Sequence, residues 1–492
     1  MTVSPELFLQ LAIIMPLFAT IGIGVAHRYP NIRELVTILA GLVVCYSVGQ
    51  LYIAHQSGLV ISVHWLELMP GLILGFKTES LGILFSLVAG FLWLITSIYS
   101  IGYMRKHGES NQTRFYIFFA ISITAAMGVA FAANLFTLFV FYEMLTLSTY
   151  PLVTHSGTEQ AKRGGRVYLG ILLSTSIVFF LLAIIGTWYF TGNLEFTSGG
   201  VFSDDISLTI VSILLVLYVF GIGKAAIMPF HRWLPAAMVA PTPVSALLHA
   251  VAVVKAGVFT ILKVCVFIFG LDLLNELSVT QVLSYLAGFT VLVAAIIAIR
   301  QDNLKARLAY STVSQLSYII IGALLATSAG VTGGAMHIAM HAFGKITLFF
   351  CAGAILVANH KTEVSEMHGI GRQMPVTMTA FLIGSLSIIG VPPVGGTWSK
   401  WYLIVGSLQA EQWFLMGILL LSTLLSIAYL LPIPIRAFFP GNSNVNINNS
   451  RGWTMKEAPL PSLIALSITA AGCILLFVFP GPVFDLAANI LQ

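Results

Sequence analysis

Apolar runs of about 20 residues, parted by short polar breaks, follow one another along the whole chain. Candidate helices begin near residues 5, 33, 80, 113, 134, 163, 206, 241, 279, 305, 331, 376, 412 and 460. A helix of about 20 residues spans a hydrocarbon core of roughly 30 Å. None of the runs alternates with period two, which sets barrel strands aside. Helices also satisfy their own backbone groups in lipid. The pattern predicts an all-α polytopic membrane protein with about fourteen transmembrane helices. The first run, Leu7 to Val25, has no basic segment before it and no small-residue cleavage site after it, so it reads as a retained span.

Composition agrees, with 58% hydrophobic and 8% charged residues and a mean hydropathy of +0.96. Cys45, Cys265, Cys351 and Cys473 fall in four different apolar runs without metal spacing and read as small core hydrophobes.

Loop charge tests the helix count independently, because Lys and Arg collect on the cytoplasmic side. Seventeen of the 23 basic residues fall in odd-numbered loops, from Arg28 and Arg33 through Arg105, Arg163, Arg232, Arg307 and Arg372 to Arg436, Arg451 and Lys456. Even-numbered loops hold only Lys77 among the basic residues but eight of the 18 acids, among them Glu67, Glu79, Asp204, Asp272 and Glu411. A miscount of one helix would scramble this division. It therefore implies that both termini lie outside.

Two candidates are interrupted. The seventh carries Lys224 ahead of Met228-Pro229-Phe230, and the twelfth carries Gly390-Val391-Pro392-Pro393-Val394-Gly395-Gly396 ahead of Lys400. Proline removes a backbone donor and breaks the helix, which lipid tolerates only where the freed carbonyls face protein or water. Breaks five helices apart, each beside a lysine, predict two inverted five-helix repeats with discontinuous helices 7 and 12. The chain then divides into an N-terminal segment (1–110), a first repeat (111–270), a second repeat (271–440) and a loop with the last helix (441–492).

Lys224, Lys255, Lys263, Lys345, Lys400 and Glu143 lie inside apolar runs, where a lysine costs roughly 2.5 to 3.5 kcal/mol near a helix centre. Retaining a line of them fits handing a proton through the membrane. His337, His341 and Lys345 recur every four residues, a one-faced stripe about 12 Å long. Imidazole donates and accepts protons near neutral pH, which suits a relay; histidines bonded to neighbouring helices, or a zinc pair, rank below it. His249 and Lys255, six apart, are expected to serve different neighbours, with His249 nearer the cytoplasmic side. Lys263, close to the outer end, is expected to snorkel. Glu143 is the one acid within a span, and Lys224 is its expected counter-charge, the lysine's protonation following whether the pair is closed or open.

These residues resemble the antiporter-like subunits of Mrp-type cation/proton antiporters, respiratory complex I and membrane-bound hydrogenases. The likeness runs through FYEMLTLSTYPLV, GIGKAAIMPFHRWLPAAMVAPTPVSALLHAVAVVKAG (Gly221 to Gly257), RQDNLKARLAYSTVSQLSY, MHIAMHAFGKITLFF and GVPPVGGTWSKWYL. It implies a coupled Glu143–Lys224 pair in a first half-channel, Lys255 as the connecting group, and His337, His341 and Lys345 on a lateral path. Lys400 would end the second half-channel. Some members carry glutamate at that last position, so Lys400 points away from the middle pump subunit of complex I.

The function expected is proton translocation within a multi-subunit antiporter, closest to the D-type subunit of Mrp antiporters, in a bacterial or archaeal cell membrane. A proton channel of a redox-driven complex and a membrane subunit of an inorganic-carbon uptake system are the alternatives. A scaffold, or an independent carrier of an organic solute, is the reading from a different class; the carrier would want more than one buried acid. Expected partners are other membrane subunits and the lipid bilayer, with Na⁺ passing through this chain or a neighbour. No nucleotide, flavin, haem or iron–sulfur motif, metal site or redox or hydrolytic centre is visible, and the basic loops follow from topology rather than nucleic acid.

Overall fold

The computed structural model describes residues 4–69, 71–439 and 455–491. Arg451, part of the expected basic loop before the last helix, lies outside them. Helices stand at each expected place: α1 Pro5–Val25, α2 Pro30–Gln56, α3 Ser80–His107, α4 Gln112–Phe131, α5 Leu135–Val153, α6 Glu159–Thr191, α7 Leu208–Gly221 and α8 Thr242–Phe269. There follow α9 Ser278–Arg300, α10 Leu304–Leu324, α11 Ser328–Asn359, α12 in two pieces (Pro375–Ile389 and Gly396–Gln409), α13 Trp413–Phe438 and α14 Leu460–Val478.

Among the described residues, eleven helices are long and apolar enough to cross a membrane. The interrupted α7 and α12 and the Ser/Thr-rich α10 fall outside that set. A short β-hairpin, β1 Ser62–Met69 and β2 Leu72–Lys77, follows α2 and is not evident from hydropathy. A short helix, Gly481–Ala488, follows α14.

Side-chain caps set several helix starts. The Asn134, Thr158, Asn303 and Thr327 side chains accept from the backbone N–H three residues on, at the heads of α5, α6, α10 and α11. Burial sorts the bundle: the apolar windows of α8 and α11 are 94% and 89% inside the protein, whereas those of α1, α6 and α14 are 33%. The two helices richest in candidate groups therefore form the central wall, shielded from lipid by the others.

Odd-numbered loops contact one another: Arg114 Nη2 donates to His155 O at 2.8 Å and Lys305 Nζ to Ala240 O at 2.6 Å. Arg33 and Arg105 share the buried Glu34, and Arg105 bonds Asn31 at 2.6 Å. Ser365 Oγ donates to Asp302 Oδ2 at 2.6 Å, which holds that carboxyl below its ordinary value and ties the α9–α10 connection to the α11–α12 linker. His155, in the α5–α6 loop, is held below the ordinary imidazole value by burial, against the raising pull of Glu109 3.9 Å away.

Both expected interruptions are present, each with a cis X-Pro bond, Met228-Pro229 and Pro392-Pro393. After α7 the chain makes a tight turn through Lys224, and Ala226 takes the left-handed conformation (φ 55°). Trp233 Nε1 donates at 2.9 Å to the Gly223 carbonyl, which also accepts from Ala226 N at 3.0 Å, and Met228 N donates to Thr290 Oγ1 at 3.3 Å. In α12, Gly390 has φ 84° and Gly395 N donates to Cys473 O at 2.8 Å. The broken backbone is thus satisfied by protein, as lipid requires. Gly257 of α8 lies so close to the Lys224–Ala225 backbone that a Cβ would collide with it, so α8 is pressed directly onto the first break.

Candidate functional site

Lys224 is fully buried, and its position follows from the break. Its backbone N–H donates to the Tyr142 hydroxyl at 3.1 Å, while Nζ donates to Tyr142 O at 2.9 Å and Thr146 Oγ1 at 2.5 Å. Nζ also lies 3.2 Å from the Tyr142 ring centroid, a cation–π contact. No ion pair with Glu143 is formed. Both Glu143 carboxylate oxygens are buried without a hydrogen-bond partner, at the edge of a cavity of about 680 Å³ between α4, α5 and α6 whose other walls include Phe118, Phe139, Met144, Leu147 and Ile184. The acid and the lysine sit on the same stretch of structure, with the pair open and the ammonium resting on neutral oxygens.

The centre is built where α8 meets α11. Lys255 Nζ and His341 Nδ1 are hydrogen-bonded at 2.7 Å. One turn along α11, the His337 ring lies 5.7 Å from that of His341, centroid to centroid. His337 Nδ1 meets Ser399 Oγ at 2.8 Å, and its ring stacks on Tyr318 at 5.6 Å. Ser399 adjoins Lys400, whose Nζ donates to the freed Ile389 carbonyl at 2.9 Å and to Thr423 Oγ1 at 3.2 Å. The half-helix ending at Ile389 presents its negative dipole end to that ammonium. Lys255, His341, His337 and Ser399 thus run in sequence across three helices, ending one residue before Lys400.

His249 is buried against Phe349 of α11, ring centroids 4.6 Å apart, with both nitrogens unpartnered. It and Lys255 therefore both contact α11, a correction to the expectation of different neighbours. A π turn at Leu247–Val251 and the non-helical Ala252 (φ −123°, ψ −68°) interrupt α8 between them, so ideal helical azimuths do not carry through. Lys345, the third member of the stripe, turns away from the histidines toward α10, donating to Ser311 Oγ at 2.6 Å and to Leu308 O at 3.3 Å.

Lys263 does not snorkel. It is fully buried, pairs with Glu79 at 2.6 Å, donates to Ala132 O at 2.8 Å and lies 4.2 Å from the Phe196 ring centroid. The hairpin, docked on α5 through Asn134 Nδ2 to Ile73 O, and the 192–207 loop, which bonds the α8 end through Thr197 N to Phe267 O, close over its route to the surface.

Counter-charge separates the lysines into two kinds. Lys263 has a carboxylate partner, whereas Lys224, Lys255, Lys345 and Lys400 rest on carbonyls, hydroxyls or imidazole. An ammonium held by neutral acceptors can release a proton without stranding an unpaired carboxylate in the interior, the costly outcome of breaking a buried ion pair. Beside these groups lie unpartnered buried polar atoms: Ser245 Oγ, both His249 nitrogens and Nε2 of His337 and His341. Groups of this kind ordinarily bind water. No cluster of three or more His, Cys, Asp or Glu side chains able to hold a metal occurs among the described residues. The cysteines are free thiols; three are buried and Cys45 is partly exposed.

Residues 132–426, which include the site residues, match the family described as NADH:quinone oxidoreductase/Mrp antiporter, transmembrane. The N subunit of the NADH-quinone oxidoreductase of Desulforudis audaxviator is 33% identical over 358 residues, 72% of this chain and 70% of that one. Chain 5 of the NAD(P)H-quinone oxidoreductase of a Picosynechococcus species is 30% identical over 433 residues, 82% of this chain and 64% of its relative. Against the Synechocystis chain 5 the span is about half of that protein's length, 51%. The same fold occurs in an archaeal membrane-bound sulfane sulfur reductase (TM-score 0.86, 23% identity, 98% of both chains) and in the Mrp complex of a Dietzia species (TM-score 0.86, 20% identity, 100% of this chain and 97% of the other). The chain is a multi-pass membrane protein and belongs to the NADH:quinone oxidoreductase/Mrp antiporter transmembrane family.

Proposed function

We propose that this chain is the proton-translocating subunit of a multi-subunit cation/proton antiporter, of the D-type found in Mrp assemblies. The observation that carries this reading is the succession Lys255, His341, His337 and Ser399, which links α8, α11 and α12 through contacts of 2.7 and 2.8 Å and one ring-to-ring step of 5.7 Å and ends one residue before Lys400. A proton entering near His249 passes between Lys255 and the α11 imidazoles and reaches Lys400. The Glu143–Lys224 pair acts as the switch: closed, it holds the charge at α7, and open, as here, it removes the counter-charge and sends the proton onward. Both termini face outward, Na⁺ crosses elsewhere in the complex or through this chain, and partner subunits complete the assembly.

A second reading, the proton channel of a redox-driven complex, draws support from relatives that are named as quinone oxidoreductase subunits. It uses the same residues and differs in the driving partner.

Glu143→Gln and Lys224→Ala are expected to lower proton-coupled flux in inverted membrane vesicles by at least about tenfold, a barrier change of roughly 1.4 kcal/mol. The complex should still assemble, as judged by size-exclusion chromatography. Normal flux in both variants would remove the pair from the path and favour a scaffold.

A further inference from the structure

Lys345 poses a problem for a single histidine route. It belongs to the α11 stripe by sequence, yet its hydrogen bonds go to α10. On the histidine path it would be a dead end.

From Ser311, however, a row of three hydroxyls continues. Ser311 Oγ lies 2.9 Å from the Tyr429 hydroxyl, which lies 3.0 Å from Ser426 Oγ, which donates to Ser422 O at 2.9 Å. Ser311, Tyr429, Ser426 and Ser422 are all at 0% exposure. Each of the three linking hydroxyls has one neighbour to accept from and one to donate to, the arrangement that lets a hydroxyl take a proton on one side and give one up on the other. On α13, Ser422 and Thr423 lie one turn from Ser426, about 5 to 6 Å along one face. Thr423 Oγ1 is the group 3.2 Å from Lys400 Nζ. The row therefore starts at one buried lysine and ends one turn short of a hydroxyl bonded to another.

We propose that Ser311, Tyr429 and Ser426 form a second arm of the proton path, joining Lys345 to Lys400 through α10 and α13, in parallel with the His341–His337 arm through α11. The proton balance is closed. Lys345 passes a proton to Ser311 as Ser311 passes its own to Tyr429 and Tyr429 to Ser426. A water spanning Ser426 and Thr423 completes the transfer to neutral Lys400, leaving Lys345 neutral and Lys400 charged, and rotation of the hydroxyls resets the row. One arm ends at Ser399, next to Lys400 in sequence, and the other at Thr423, bonded to its Nζ, which makes that lysine the point where charge from both arrives. Ser311, Tyr429 and Ser426 are thereby pathway residues for a reaction in which the α11 histidines alone would otherwise figure.

This inference rests on the proton-conducting reading, and its test separates the two. Flux is measured in inverted vesicles carrying the intact complex, with Lys255→Met in the same series. Ser311→Thr keeps the hydroxyl and Ser311→Val removes it at nearly equal volume, so packing is held constant between them. The expected result is near-normal flux for Ser311→Thr, a loss of roughly half the flux for Ser311→Val, because one of two parallel arms is cut, and a similar loss for Tyr429→Phe. Ser311→Val and Ser311→Thr with equal flux, while Lys255→Met is inactive, would overturn the hydroxyl arm and leave the histidine arm standing. Full activity of Lys255→Met would overturn both.

Discussion

Lys255→Met is expected to reduce proton-coupled flux by about a hundredfold or more, the usual scale for losing a positioned proton-transfer group. The reason is its place in the chain of contacts. Lys255 is the α8 group bonded to His341 at 2.7 Å, and through it the α8 side of the bundle reaches α11, which carries the heads of both arms, the imidazoles and Lys345. Methionine is similar in length and apolar, so the packing of a fully buried position survives. His341 Nδ1 loses its partner, at a cost of about 1 to 3 kcal/mol, which a large membrane domain absorbs. Dye quenching in inverted vesicles, normalised to assembled complex, measures the effect. Flux within twofold of the unmodified protein would take Lys255 off the path.

Lys263→Met is expected to do the opposite: to weaken the fold and spare the chemistry. Lys263 and Glu79 are 2.6 Å apart, the lysine wholly buried. Removing one member of a buried pair costs about 3 to 5 kcal/mol, because the other charge is left uncompensated. The loss falls where the hairpin, the start of α3 and the end of α8 are fastened together. Thermal unfolding of the detergent-solubilised complex should shift down markedly, and Lys263→Met combined with Glu79→Gln should recover part of it. A fully stable single variant would show that the pair fastens nothing. Flux per folded complex should stay close to normal in either variant, in contrast to Lys255→Met.

These two lysines also mark the boundary of what can be read from sequence. Helix positions were legible because an apolar run in lipid has few alternatives, and the breaks at Met228-Pro229 and Pro392-Pro393 were legible because proline forbids a continuous helix. The α11 stripe followed from a spacing of four. What each buried lysine touches did not follow. Its partners are mostly neutral, Tyr142 O, Ser311 Oγ and Ile389 O among them, and serines, threonines and carbonyls are too common in this chain to single out. The Lys263–Glu79 pair joins residues far apart in sequence through a hairpin that hydropathy did not reveal. The π turn at Leu247–Val251 re-aimed α8 and brought both His249 and Lys255 to α11, where a regular helix would have parted them. Tyr429, the pivot of the hydroxyl row, looked like one more aromatic residue in an apolar run.

Proton transfer along the row of ammonium and imidazole groups requires a wet interior. The measurement that bears on this most directly is a cryo-EM map of the assembled complex at a resolution that shows ordered water. Density is expected within hydrogen-bond distance of both His249 nitrogens and of Nε2 of His337 and His341, the atoms that find no protein partner. Dry apolar packing around those atoms, with no water joining Lys255, the α11 histidines and Lys400, would contradict it.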